Sequence, residues 1–190
     1  IEAEPYAGMV CSYANGGQIS VSNSEVWNTT ANLWKGVKWM FRKDAPLLFK
    51  PWRLDWQLWK WMAKFIGVTL FTDTQKNTEK TIHMGLESRI LYDMIYNDED
   101  ISFDRRKCGI MHIYKSEKYW EDAKKSVEMY QANGLVRKVI NHEKNGLLDN
   151  LPDVIGATYT PSDYTGDIHK FCHNLAAILE FKYKVKFHYN

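Results

Sequence analysis

The sequence predicts an α+β fold, a mixed sheet with covering helices, and three observations carry that expectation. Strand-like runs crowd into the second half: CGIMHIYK (108–115), LVRKVI (135–140), IGATYT (155–160) and the alternating KVKFHYN (184–190). Helical periodicity lies between them. It is strongest from Ile168, where Phe171, Cys172, Leu175, Ala176 and Leu179 follow at i+3, i+4, i+7, i+8 and i+11. The first half carries helices with hardly a strand, so the chain does not alternate from end to end as a doubly wound sheet would.

Taken in order, residues 1–3 finish a strand and 5–24 form a loop, with a short helix expected near the glycines. A helix follows over 32–43, with Leu33, Val37, Met40 and Phe41 on one face; Pro46 and Pro51 then punctuate the chain. The next helix, 52–66, carries Arg53, Gln57, Lys60 and Lys64 as one narrow polar stripe on an otherwise apolar cylinder. Its Trp52, Trp56, Trp59 and Trp61 suit either a lipid interface or the core of the domain, and the core is the preferred reading. Residues 74–96 read as a long helix with Ile82, Leu86, Ile90 and Ile95 inward. Ser116 is the expected N-cap of a helix over 117–132, whose inner face is Trp120, Ala123, Val127 and either Tyr130 or Met129. Residues 141–153 are loop, and the final strand should turn Val185, Phe187 and Tyr189 inward.

Composition excludes several classes. At 190 residues the chain has room for one domain or one and a fraction, and 45% hydrophobic content supports a core. A net charge of +2 with interspersed Lys and Glu gives no footprint for nucleic acid. Three scattered cysteines, Cys11, Cys108 and Cys172, read as reduced thiols in a cytoplasmic setting. No apolar run of about 18 residues is present, so no segment is expected to span a membrane.

The most informative stretch is VCSYANGGQIS, Val10 to Ser20. Gly16 and Gly17 open backbone conformations closed to other residues, and Ser12, Asn15 and Gln18 place donors and acceptors beside them. Such a loop suits the face of a planar polar cofactor; the competing reading is an ordinary turn. Other constellations have plain readings. His169 and His173, four apart near Cys172, read as two solvent-facing histidines rather than metal ligands, and no metal is expected. Asp163 and Asp167 bracket Tyr164 and Gly166 as either a substrate-side loop or, preferred, a helix cap at Asp167. Arg105, Arg106 and Lys107 read as a solvated turn rather than a carboxylate site.

Together IEAEP, SYANGGQIS, GVKWMFRKDAPLLFKP and TPSDYTGDIHKFCHNLA resemble the bacterial FAD-dependent D-amino-acid dehydrogenases of the D-amino-acid oxidase and glycine oxidase superfamily. The resemblance runs over essentially the whole chain. It implies a remnant of an FAD-binding domain over 1–24 and an incomplete substrate-type α+β domain over 25–190. It implies FAD as cofactor, with Glu2 (Glu4 as the alternative) on the adenosine ribose, Ser12 near the pyrophosphate, and Ala14, Asn15, Gly16, Gly17 and Gln18 beside the isoalloxazine. It also implies an amino acid as substrate and a quinone or other respiratory carrier as electron acceptor. Residues 52–66 are the candidate for peripheral contact with the inner face of the cell membrane.

The family's G-x-G-x-x-G turn, which holds the pyrophosphate at a helix N-terminus, does not occur in the sequence. The chain therefore reads as an internal piece of a longer flavoenzyme, or one chain of a split one that a complementing subunit completes. No catalytic residue is assigned. The competing function is a non-catalytic binding or structural domain that has lost its nucleotide site.

Overall fold

In the computed structural model, residues 2–40, 42, 44, 55–141, 148 and 151–189 are described. Their elements run β1 (Gln18–Ile19), a 3-10 turn (Val21–Asn23), α1 (Thr30–Trp39), α2 (Trp56–Phe71), α3 (Thr74–Asp98), β2 (Ile110–Tyr114), α4 (Glu117–Ala132), β3 (Lys138–Asn141), β4 (Gly156–Thr160), β5 (Tyr164–Thr165) and α5 (Ile168–Phe181). The α+β class holds. The strands form two small antiparallel sheets, β1-β5 and β2-β4-β3. The chain divides into two compact units, residues 1–23 with 82–190, and residues 24–81.

In the first unit the three-stranded sheet is covered by α4, as its sequence pattern requires. Trp120, Ala123, Val127 and Tyr130 recur at i, i+3, i+7 and i+10, and all four are buried. Trp120 lies so close to Gly156 of β4 that any β-carbon there would overlap the indole. Ser116 starts this helix in an extended conformation, yet its side chain makes no capping hydrogen bond. Three small hydrophobic clusters make the core: Val21, Ile82, Tyr130 and Leu135; Ile101, Phe103, Tyr164 and Phe171; and Leu148, Val154 and Ala157.

The long helix α3 turns only part of its expected face inward. Ile82 is fully buried and Leu86 packs beside it, while Ile90 and Ile95 are exposed. Nor do residues 184–190 form the expected strand. Among the described residues of that segment the one ladder contact is an isolated parallel bridge from Tyr189 to Glu2, and Val185 and Tyr189 are exposed. Alternation without a neighbouring strand has nothing to pack against.

In the second unit α1 packs on α2. Thr29 caps α1 through Asn32 N–H, starting it two residues before the expected boundary, and Asp55 caps α2 through Leu58 N–H. Trp52, Arg53, Leu54, Pro46, Pro51 and Phe41 lie outside the described residues. The core reading of the Trp-rich helix does not hold: of α2, Thr69 alone is buried, and Trp56, Trp59, Trp61, Val68, Leu70 and Phe71 are exposed. No described helix is long and apolar enough to cross a membrane.

Candidate functional site

Two segments far apart in sequence meet where β1 pairs with β5. On the first, Asn15 shapes the turn: its amide donates to the carbonyls of Cys11 (3.1 Å) and Ser12 (3.4 Å), and its Oδ1 accepts Gly17 N–H at 2.7 Å. This is a local side-chain-to-backbone turn of the kind Asn favours. Gly17 follows with φ +60°, and its carbonyl accepts Gly166 N–H at 2.9 Å. A β-carbon on Gly17 would overlap the Gly166 carbonyl oxygen, so both the conformation and the close approach require glycine. Gly16 is open on its β-carbon side except for Gln18 at 4.0 Å.

On the second segment, Gly166 lies against the Phe103 ring, again too close for a β-carbon. Asp167 N–H donates to the Phe103 carbonyl at 2.7 Å, and Arg106 and Thr165 exchange backbone hydrogen bonds of 2.8 and 3.2 Å. The Asp167 side chain accepts Lys170 N–H at 3.0 Å, the helix cap its sequence position implies. TGD is thus held between the Asn15–Gln18 turn and residues 103–106.

A half-buried ion pair backs this junction. The Arg105 guanidinium sits 4.0 Å from the Tyr164 ring centroid and 4.6 Å from that of Tyr96, and donates to Asp93 at 2.6 Å. Tyr164 donates its hydroxyl to the same Asp93 oxygen, also at 2.6 Å. Burial, and then the bond to Asp93, push the Tyr164 phenol well above its ordinary pKa; burial does the same to Tyr92. Arg105 is therefore part of a packed aromatic clamp, which corrects the solvated-turn reading.

The role that the sequence did not disclose is that of Asp163. It is fully buried and accepts Ser20 Oγ (2.9 Å), Val21 N–H (3.1 Å) and Ser22 N–H (3.2 Å), with Arg89 at 3.6 Å. It fixes the 3-10 turn that leaves the loop. Ser22 Oγ lies 3.2 Å from His112 Nε2. Burial, then the charge of Arg137, hold the His112 pKa below its ordinary value, while Asp163 opposes them. Arg137 is itself buried and donates to Thr158 Oγ1 at 2.9 Å. In the sequence Asp163 carries no local mark beyond its place before TGD.

The remaining candidates divide. Ala14, Asn15, Gly16 and Gln18 are exposed and Ser12 half-buried on the rim of the junction. Glu2 is not tied to them by any hydrogen bond or ion pair among the described residues. Its N–H donates to the His188 carbonyl (2.9 Å), and its carboxylate accepts Ala3 N–H at 2.8 Å and Glu4 N–H at 3.3 Å. His169 is not solvent-facing: it is half-buried, with Nδ1 3.1 Å from the Gly8 carbonyl and its ring against Tyr13 and Tyr6. No cluster of metal-ligating side chains occurs among the described residues, and the three cysteines are free.

The sequence profile of the family described as FAD dependent oxidoreductase matches residues 1–190. The chain is 40% identical over 177 residues to D-amino acid dehydrogenase 3 of Mesorhizobium japonicum, covering 92% of this chain and 42% of that protein. It is 34% identical over 189 residues to the D-amino acid dehydrogenase of Paramagnetospirillum magneticum, covering 97% and 44%. It is 32% identical over 195 residues to that of Dechloromonas aromatica, covering 96% and 46%. The chain thus spans less than half the length of these curated relatives. Among solved structures, the L-proline dehydrogenase from P. horikoshii is similar at a TM-score of 0.44 and 18% identity, over 52% of this chain and 27% of that one.

Proposed function

The chain belongs to the FAD-dependent oxidoreductase family, and we propose from that premise that it forms part of an amino-acid dehydrogenase. Its substrate is a D-amino acid, deaminated oxidatively to a 2-oxo acid and ammonia, and its electrons leave to a quinone or other respiratory carrier. One observation carries the reading. The two stretches most specific to the resemblance are hydrogen-bonded to each other through Gly17 and Gly166, and they leave a polar rim exposed.

The residues present fit one edge of a flavin. Gly16 leaves an open backbone surface, and the side chains of Asn15 and Gln18 stand beside it. When bound, FAD supplies the two-electron sink that turns the substrate's α-amine into an imine, which water hydrolyses. Ser12, Ala14, Asn15, Gly16, Gly17 and Gln18 would hold and orient its ring system, and Glu2 its ribose. Asp163 and the Arg105–Asp93–Tyr164 clamp keep the backbone of that rim in place. With no phosphate turn in this sequence, the pyrophosphate would be held by the remainder of the flavoenzyme chain or by a complementing subunit. An acceptor in the membrane would be reached by peripheral contact through residues 52–66, on the inner face of the cell membrane.

The test has two parts. This chain, purified alone, is expected to be colourless and to carry little FAD; a stoichiometric flavin spectrum would show that no other segment is needed. The full-length gene product should bind FAD and bleach anaerobically on addition of D-alanine, releasing pyruvate and ammonia. A flavin-loaded protein that no D-amino acid bleaches overturns the substrate class. Failure of the full-length product to bind FAD favours the alternative, a non-catalytic domain that has lost its nucleotide site, which the absent G-x-G-x-x-G motif supports.

A further inference from the structure

We infer that the face of the β2-β4-β3 sheet beneath α4 binds a small monovalent anion, a halide or a small carboxylate, against the guanidinium of Arg137. The site follows from strand register. β2 pairs with β4 so that Ile110 meets Thr160 and His112 meets Thr158, and β3 sets Lys138 against Tyr159 and Val139 against Thr158. Residue 137 therefore stands one step beyond the β3 ladder, beside Thr160. Side chains two apart on a strand share a face, so Thr158 and Thr160 point the same way. Arg137 reaches that face: its Nη2 donates to Thr158 Oγ1 at 2.9 Å and to Tyr114 Oη at 3.4 Å. Tyr130 of α4 lies against the guanidinium, 4.9 Å from ring centroid to central carbon. Gln131, also on α4, donates to the Arg137 carbonyl at 2.8 Å and ties its backbone to the helix.

What the site lacks is a counter-charge. Arg137 is 3% exposed, and Thr158 and Thr160 are fully buried. Among the described residues no carboxylate forms an ion pair with Arg137. Nor do its Nε and Nη1, or Thr160 Oγ1, have a hydrogen-bond partner there. Asp163 is engaged elsewhere, by Ser20, two backbone N–H groups and Arg89. Arg105 makes the contrast. Its Nε and Nη1 are also without partners, but Asp93 at 2.6 Å balances its charge, so a water molecule would complete it. Arg137 lacks the charge as well as the acceptors. A buried cation without a counter-charge is heavily penalised, and unmade hydrogen bonds add to that cost. An anion removes both. Guanidinium N–H groups can only donate and the Thr160 hydroxyl can donate, so all the unpartnered atoms suit an acceptor. The ligand must be small, because Tyr130, Thr158 and Thr160 are fully buried, and singly charged, to match one guanidinium. β3 lies at an edge of its sheet among the described residues, with Val136 and Lys138 exposed on either side of Arg137, which gives an ion a short way in.

The test uses this chain without flavin, so it stands apart from cofactor binding and turnover. Thermal midpoints are measured by circular dichroism in sodium fluoride, and again with fluoride replaced by chloride or by formate at constant ionic strength. Fluoride is the reference because it gives up its hydration shell least readily. Chloride, formate or both should raise the midpoint in a saturable way, by roughly 5 °C or more at about 100 times the Kd. A response to chloride alone makes the ligand a halide, and a response to formate alone makes it a carboxylate. Arg137→Met should melt at one temperature in all three salts. Thr160→Val keeps the shape of the side chain and removes one donor, and it should weaken anion binding about ten-fold or more. Line broadening of the chloride NMR signal by the parent chain reads the same binding directly and should vanish in Arg137→Met. If Arg137→Met does not fold, Thr160→Val decides. Equal midpoints of the parent chain in the three salts overturn the inference and leave the guanidinium to buried water. So does a salt response retained in folded Arg137→Met, or an unchanged affinity in Thr160→Val.

Discussion

Two helices of 16 residues, α4 and α2, meet opposite fates. α2 is much the greasier, yet one of its residues is buried; α4 is full of Glu and Lys, yet it buries a Trp, a Tyr, a Val and an Ala. What differs is arrangement. In α4 Trp120, Ala123, Val127 and Tyr130 share one stripe, so one orientation removes all four from water and leaves Glu117, Lys118, Glu121, Asp122, Lys125 and Glu128 outside. In α2 apolar residues lie on all sides, and one contact face leaves the rest exposed. Burial follows the pattern of apolar residues and not their number, and apolar surface left out of a core is available for other use.

The sharpest way to break that contrast is to truncate one Trp in each helix. Trp120→Ala should cost about 3–5 kcal/mol, since the indole is 5% exposed and packs on Gly156 and Tyr114. Trp56→Ala should stay within about 0.5 kcal/mol. Urea melts of both decide, and equal losses would show that α2 is covered after all.

Within the first unit, Asp163→Ala should remove about 3 kcal/mol, because Ser20 Oγ, two backbone N–H groups and Arg89 lose a buried acceptor together. A value under 1 kcal/mol in the same melts would mean that water replaces the carboxylate. The two neighbouring glycines extend the test to a scale of one residue. Gly17→Ala should cost about 2 kcal/mol, from left-handed backbone and collision with Gly166, whereas Gly16→Ala should be near neutral. The two capping positions give a smaller contrast: Asp167→Ala about 1 kcal/mol, and Ser116→Ala, which loses no capping bond, under about 0.5 kcal/mol.

The smallest expected effect is pH-dependent. His112 has a depressed pKa in the folded state, so the unfolded chain binds the extra proton first as the medium is acidified. Its contribution is fully present above its ordinary pKa near 6.5 and is lost as pH falls through the lower folded value. Thermal midpoints between pH 7.5 and 5 should drop less in His112→Gln than in the parent chain; parallel curves would discard the assignment.

How far the sequence could be read follows the same division. α4 and α5 were legible residue by residue because their signal is local and periodic, and Asp167 was legible because a cap acts three residues away. Asp163 was not, because its partners lie 141–143 residues back in the chain and nothing in PSDYTGD distinguishes it from its neighbour. Arg105 was misread for a related reason. RRK is a solvated triplet by composition, and only the distant Tyr164, with Tyr96 and Asp93, converts its first residue into a buried cation. The loop at Asn15–Gln18 was found by its chemistry, but the reason Gly17 must be glycine lay with Gly166 rather than within the loop.

That contact sets the order of events during synthesis. Val21 leaves the ribosome 142 residues ahead of the Asp163 that will hold it. At about 5–20 residues per second that is roughly 7–28 seconds in which the loop has no framework. Pairings this distant close late and slowly, because the chain between them must first be ordered. The rim can take its shape only once α5 begins to form. A nascent chain stalled short of residue 166 would hold a finished α4 and an unshaped rim, so any ligand captured there would be captured after translation had passed that point.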